Sequence, residues 1–380
     1  LGDVYKRQLY IFSPYILIYL NFIFNDAIPF LFFYPDVPEN IQYTTFTAAI
    51  INLSFLFLFR KQAQVPISIN LPLSSIKLNK KRKILLSCFV FFLLWAGVMS
   101  GVLINLLRGN NIEDLRRTSE IGVGVIRDIP MLGIQIIMLV LFLQKTWKCY
   151  YKVVAFYSFC LSVFLFLTTG NKGGVLVGVT LFLLFFHLKK RGFKWYEYVL
   201  YYLAMPLAAG TLQGIRGGDL TLIASQIAVF FSYPVILYQA NSIPIMNAVG
   251  TENFFWGEEY YTGLVKFIPR FLWPDKPLSF DYKLKELANY DFEGGGIYTT
   301  LCNDLYINFG YYYFIFYILW LLFIHYLYGM VMDDKRFYYS RIIALFIILM
   351  GGIASTIGSC EILLLFLLFL ILYYSRVKTL

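Results

Sequence analysis

Apolar residues in this chain gather in long unbroken runs, not in alternating patterns. Stretches such as Ile84 to Leu107 and Glu361 to Tyr374 show no period of two. Runs near the ~20 residues that a helix needs to cross a bilayer core recur from end to end. Inside a bilayer the backbone N–H and C=O groups have no water to pair with, so only helices or a closed barrel can span it. A barrel needs short alternating segments. The pattern therefore predicts helices near 9–25, 41–59, 84–107, 130–147, 152–169, 174–188, 195–212, 303–328, 341–358 and 361–375, about ten spans with ends placed to roughly 2 to 4 residues. The expected fold is all-α: one polytopic integral membrane helix bundle over residues 1–380.

Composition supports that solvent assignment. The 380 residues are 59% hydrophobic, 20% aromatic and 14% charged, with a mean hydropathy of +0.67, whereas a soluble domain has roughly a quarter of its residues charged. Charge then gives orientation. Segments 1–8, 60–83, 145–152, 189–194, 333–341 and 376–380 fall on one side and hold 21 of the 32 Lys and Arg residues. By the positive-inside rule that side is cytoplasmic, and so are both ends of the chain. Counting 222–240 (LIASQIAVFFSYPVILYQA) as a full crossing would put the basic segment Asp333 to Arg341 outside, so it is expected to be a re-entrant or interfacial helix bent at Pro234. The alternative is that a weaker neighbour such as 174–188 does not span. Residues 1–8 (LGDVYKRQ) read as a truncated or non-native start, without the cleavage site of a secretory signal.

This orientation leaves two substantial loops outside, 108–129 and 241–302. The second exceeds the ~12–15 residues beyond which loops are usually functional or disordered. It is rich in Trp, Tyr, Phe, Gly and Pro, so an ordered structure is expected. Cations on the sparsely basic side need a reason. Lys172 sits in the short turn Thr169-Gly170-Asn171-Lys172-Gly173-Gly174, and Arg216 in Gly214-Ile215-Arg216-Gly217-Gly218. A cation held between apolar helices is a functional candidate, with snorkelling to headgroups as the alternative. Arg116 and Arg117 lie on an amphipathic stretch. Arg270, Trp273, Asp275 and Lys276 crowd Ile268-Pro269-Arg270-Phe271-Leu272-Trp273-Pro274-Asp275-Lys276-Pro277. Arginine's planar fork suits phosphate oxygens and lysine adds point charge, so these residues suggest an anion site. Stacking of Arg270 on Trp273 for structure alone is the competing reading. The cysteines Cys88, Cys149, Cys160, Cys302 and Cys360 show no C-x-x-C spacing, and His187 and His325 fall at helix ends on the cytoplasmic side. No metal site is indicated.

At these residues the chain resembles the Wzy-type polymerases that join oligosaccharide repeat units into O-antigen and capsular chains. The quoted stretches occur in order, followed by a glycine turn at Gly294 to Gly296 and by Tyr306-Ile307-Asn308-Phe309-Gly310 opening a span. The chain departs from the family at Asn171-Lys172, where Ser-Arg is common, and around Tyr298-Thr299-Thr300 and Asn303-Asp304. The resemblance implies a bacterial cytoplasmic membrane enzyme needing neither metal nor cofactor. Its partners would be undecaprenyl-diphosphate-linked oligosaccharides, membrane lipids and a chain-length regulator, with no nucleic acid. Arg216 and Arg270 would hold the diphosphate, supported by Arg116, Arg117, Lys172 and Lys276. Glu258, Glu259 or Asp275 would accept the acceptor's proton. Trp256, Tyr260, Tyr261, Trp273 and Tyr290 would stack on sugars or anchor the loop at the headgroups. A lipid-linked glycan flippase and an O-antigen ligase are the rival expectations. The ligases are expected to use an outer-loop histidine, and this chain has none there.

Overall fold

The computed structural model describes residues 14–34, 36–60, 211, 235–236, 238–265, 268, 272–277, 280–290, 297, 299–332 and 344. The chain divides into two compact units, one of 1–70, 232–292 and 296–380, the other of 71–231 with 293–295. Apart from Thr211, every described residue belongs to the first. Among the described residues all elements are helical and none is a strand.

Helix α1 (Pro14–Phe22) runs through a π turn (Ile23–Ala27) into α2 (Ile28–Phe33). Helix α3 (Glu39–Leu58) starts after Pro38, whose extended ψ of 151° ends the connection, with Glu39 in the favourable first turn. A second π turn (Tyr238–Ser242) leads into α4 (Ile243–Val249), which stops at Gly250 with φ +60°. Two short helices, α5 (Glu258–Val265) and α6 (Phe280–Leu287), follow. Helix α7 (Leu301–Phe309) is capped by the Thr300 hydroxyl. A 3₁₀ turn (Gly310–Tyr312) separates it from α8 (Tyr313–Met332). Two helical stretches are long and apolar enough to cross a membrane, Glu39–Leu58 and Leu301–Val331, the second taking in α7 and α8. With 20 residues, α8 alone reaches ~30 Å.

Helices α1, α3 and α8 pack on one another, and α3 departs from the burial pattern of a helix in water. On α3 the buried face carries Asn40, Thr44, Thr45, Ala48 and Asn52 at helical spacing, together with Ile41 and Phe55. The outward face carries Phe46, Ile50 at 66% exposure, Leu53 and Phe57 at 71%. On α8, Ile315, Ile318, Leu319 and Leu322 likewise face out. Two buried tyrosines pair across helices: the Tyr313 hydroxyl donates to the Thr44 carbonyl at 2.7 Å, and the Tyr317 hydroxyl to Asn52 Oδ1 at 3.0 Å. Large apolar side chains outside and hydrogen-bonded polar ones inside are what a lipid solvent favours.

Contacts along the helices define two ends. At one, Tyr15 of α1, Phe55 of α3, Phe59 just after it, and His325 and Tyr328 of α8 form an aromatic cluster, in which Tyr15 Oη and His325 Nδ1 are 2.6 Å apart. Arg60 lies at this end. At the other, Asn40 donates to the carbonyls of Met246 (2.7 Å) and Gly250 (3.1 Å), Tyr43 donates to the Tyr311 carbonyl, and the Thr44 hydroxyl lies 3.1 Å from Asn303 Oδ1. The segment from α4 to α7 is therefore fastened to the end opposite Arg60.

Three boundaries differ from the sequence expectations. The first helix continues to Phe33, because a π turn absorbs Asn25 and Asp26 instead of ending the run. The helix expected to stop at 240 continues through the second π turn to Val249, with Pro244 just after that turn. The span expected at 303–328 is broken at Gly310, whose φ of +58° leaves the helical region.

Candidate functional site

The junction of α5 and α7 gathers the chemistry. Phe255 N donates to the Ile307 carbonyl at 3.0 Å, pinning the 254–257 turn against α7. The Phe254 ring covers Gly310 so closely that a Cβ there would lie 2.5 Å from it. Together with φ +58°, this explains a glycine at the end of Tyr306-Ile307-Asn308-Phe309-Gly310. Trp256 takes φ +51°, a conformation costing a side-chain-bearing residue about 1–3 kcal/mol, and its indole is 67% exposed. The pinned phenylalanines before it and Gly257 after it, with φ +84°, hold that turn in place.

Beyond the turn, α5 presents consecutive acids that go to different places. Glu258 pairs with Lys283 of α6, whose ammonium also lies 5.8 Å from the Phe255 ring centroid. Glu259 instead meets α7: Asn308 Nδ2 donates to Glu259 Oε2 at 2.8 Å and to the Asp304 carbonyl at 3.0 Å. Asp304 and Asn308, one helical turn apart, are both fully buried. The Tyr260 ring stacks on Phe309 with centroids 5.7 Å apart. Burial, and then the charges of Asp304 and Glu259, push the Tyr260 hydroxyl well above the ordinary tyrosine range. It stays a neutral group at any physiological pH.

The structure thus brings together Glu259 and Tyr260 with Asp304 and Asn308, and turns Glu258 away into an ion pair. Tyr261 is half exposed on α5. Asp275 is exposed and Trp273 partly buried in the Trp273-Pro274-Asp275-Lys276-Pro277 stretch. Lys276 Nζ donates to the Ile268 carbonyl at 2.8 Å. Tyr290 donates to the Ala240 carbonyl at 2.8 Å. Arg116, Arg117, Lys172, Arg216 and Arg270 lie outside the described residues. Among the described residues no group of three or more His, Cys, Asp or Glu side chains is placed to hold a metal.

Two acids were not singled out from the sequence as site residues. Asp304 was noted there only as a departure from the family pattern. Its signal is the Asp304/Asn308 spacing of one helical turn. Asp26, 4% exposed inside the helices, stands as the one acid in the apolar run from Leu9 to Phe33, and an ionisable group in such a run is a functional candidate by default.

Fold and site together define a helical protein with two stretches fit to cross a bilayer and a folded polar segment fastened to one end of them. Comparison with known protein families, characterised proteins and solved structures finds no match.

Proposed function

We propose that this chain is a polytopic glycosyltransferase of the bacterial cytoplasmic membrane that joins undecaprenyl-diphosphate-linked oligosaccharide repeats at the outer face. The observation that carries the reading is the seating of Glu259 and Tyr260 on the Tyr306–Gly310 turn, at the helix end opposite Arg60. The ordered motifs that resemble the Wzy-type polymerases supply the rest. A hydroxyl of the incoming repeat attacks the donor's anomeric carbon. The new C–O bond forms as the bond from that carbon to the phosphate oxygen breaks, and lipid diphosphate leaves. Glu259 takes the hydroxyl proton, held in orientation by Asn308. Arg216 and Arg270 hold the departing diphosphate, whose charge a low-dielectric setting makes costly without such partners. Arg116, Arg117, Lys172 and Lys276 add to the anion site. Of the three candidate bases, Glu258 is committed to Lys283 and Asp275 stands exposed, so Glu259 is the assignment.

The test is the full chain reconstituted in vesicles with a lipid-linked repeat. Lengthening supports polymerisation. Transfer to a different acceptor replaces it with a ligase, and movement across the bilayer without bond formation replaces it with a flippase. Arg216→Ala and Arg270→Ala abolish lengthening while the chain still inserts. Glu259→Gln lowers the rate by about 10²–10⁴-fold, whereas Asp275→Asn leaves it near wild type. A Glu259→Gln chain that lengthens at the wild-type rate removes Glu259 from the reaction.

A further inference from the structure

A buried side-chain amide facing carbonyls can be satisfied in only one orientation, and Asn40 is such a group. It is 5% exposed, in the first turn of α3. Its Nδ2 donates to the Met246 carbonyl at 2.7 Å and to the Gly250 carbonyl at 3.1 Å, while its Oδ1 accepts from the Ile41 N–H at 2.9 Å. Turned over, the amide would set an oxygen against two carbonyl oxygens. An acceptor or donor left unpaired in the interior costs about 1–3 kcal/mol, so the donor side is fixed on α4.

Met246 and Gly250 stand where α4 ends, and carbonyls at a helix end lack partners within their own helix. The Met246 carbonyl also takes the Gly250 N–H at 3.0 Å, and the Gly250 carbonyl also takes the Tyr306 hydroxyl of α7 at 3.3 Å. Three helices therefore meet at one glycine. There a φ of +60° turns the chain out of α4, and the residues beyond run to α5 with little slack. Asn253 N donates to the Val249 carbonyl at 3.2 Å, Phe255 N to the Ile307 carbonyl at 3.0 Å and Glu258 N to the Phe255 carbonyl at 3.0 Å. The corner at Gly250 thus bears on both partners of the Glu259–Asn308 hydrogen bond. The turn beyond it carries Glu259, and the helix that supplies Tyr306 carries Asn308.

We infer that Asn40 is a positioning residue: from the first turn of α3 it holds the Gly250 corner, and so sets the turn that delivers Glu259 to Asn308. The consequence for catalysis rests on the proposed transfer reaction; the hold on the corner does not. It can therefore be tested without substrate.

The readout is amide hydrogen exchange over residues 250–258, followed by mass spectrometry on the full chain in lipid nanodiscs. Asn40→Asp keeps the shape of the side chain and sets an oxygen where the two carbonyls need a donor; exchange rises severalfold. Asn40→Ser withdraws the donor without adding charge and gives a similar rise, and it decides alone if Asn40→Asp does not insert. Gln42→Glu is the control, because Gln42 lies on the same turn of α3 and donates to the nearby Val37 carbonyl at 3.1 Å. Its exchange over 250–258 stays at the wild-type rate, whereas general loosening of the start of α3 would raise it in all three. In the lengthening assay, Asn40→Ser lowers kcat about 10–100-fold with KM for the lipid-linked repeat unchanged. In a Glu259→Gln chain it lowers kcat no further, because both changes act through one carboxylate. Wild-type exchange in Asn40→Ser overturns the inference, as does equal exchange in Gln42→Glu or a full additional loss in the Glu259→Gln chain. A chain whose exchange behaves as expected yet lengthens no glycan keeps the hold on Gly250 and discards the polymerase reading.

Discussion

Helices α3 and α6 turn different residues outward within one compact unit. On α6 Phe280 and Leu284 are buried along with Lys285, while Tyr282 and Glu286 are exposed. On α3 five of the seven buried residues are Asn, Thr or Ala, beside Ile41 and Phe55, and past the first turn the exposed ones are Phe, Ile and Leu with Ser54. The same rule, that a side chain goes where its solvation is best, gives opposite patterns when the outer solvent differs. The contrast separates α3, whose outward face suits a lipid solvent, from α6.

The sharpest way to break this comparison is to put the same charge on both outer faces. Ile50→Lys places an ammonium on the outward face of α3, near the middle of a helix fit to span. A lysine at the centre of an inserted helix costs about 2.5–3.5 kcal/mol. Glu286→Lys on α6, also at an exposed position, changes stability by less than about 0.5 kcal/mol. Membrane fractionation and thermal unfolding in detergent measure the pair. If Ile50→Lys inserts and melts like wild type, α3 does not face lipid, and the inverted pattern has some other cause.

A smaller effect is expected where the two regions join. Gly310→Ala puts a Cβ into the Phe254 ring and asks a residue with a side chain to hold φ +58°. The strain is about 1–3 kcal/mol, and it falls on the joint and not on either region. Proteolysis between Gly250 and Gly310 should rise while α3 and α8 remain membrane-embedded. Unchanged protection would mean that the 254–257 turn does not depend on Gly310 for its docking.

Where the described residues meet the expected spans, the apolar runs placed helices well, while the expected spans at 84–107, 130–147, 152–169, 174–188, 195–212, 341–358 and 361–375 lie outside the described residues except for Thr211 and Ala344. Helix α3 falls within two residues of its expected position at both ends, because an uninterrupted apolar run leaves little choice. The boundaries that moved did so for reasons a run of hydrophobicity does not encode. A π turn can carry Asn25 and Asp26 through a helix, and Gly310 can break a run of apolar residues by backbone conformation alone. The site was legible only as a set of alternatives. Adjacent acids Glu258 and Glu259 are indistinguishable in sequence; their roles are separated by Lys283 and Asn308, 25 and 49 residues away. Contacts at that separation are set by how the helices pack.

The smallest expected effects distinguish the regions most cleanly, because one polar contact stands in each. The Tyr317 hydroxyl donates to Asn52 between packed helices, where interhelical hydrogen bonds contribute ~0.6 kcal/mol on average, since the alternative states in lipid also find partners. Lys283 and Glu258 pair with 43% and 32% of their side chains exposed, where an ion pair contributes about 0.2–1 kcal/mol. By magnitude the two are alike. By mechanism they are not, since added salt screens charges that water reaches and leaves a buried neutral hydrogen bond untouched. Tyr317→Phe should therefore cost a similar small amount of thermal stability at low and at high ionic strength. The coupling from a double-mutant cycle on Glu258→Gln and Lys283→Met should shrink towards zero between ~0.01 M and ~1 M salt, where the screening length falls from about 30 Å to 3 Å. Salt-independent coupling at Lys283 would put that pair out of reach of water, and the α5–α6 segment would then share the solvent of α3.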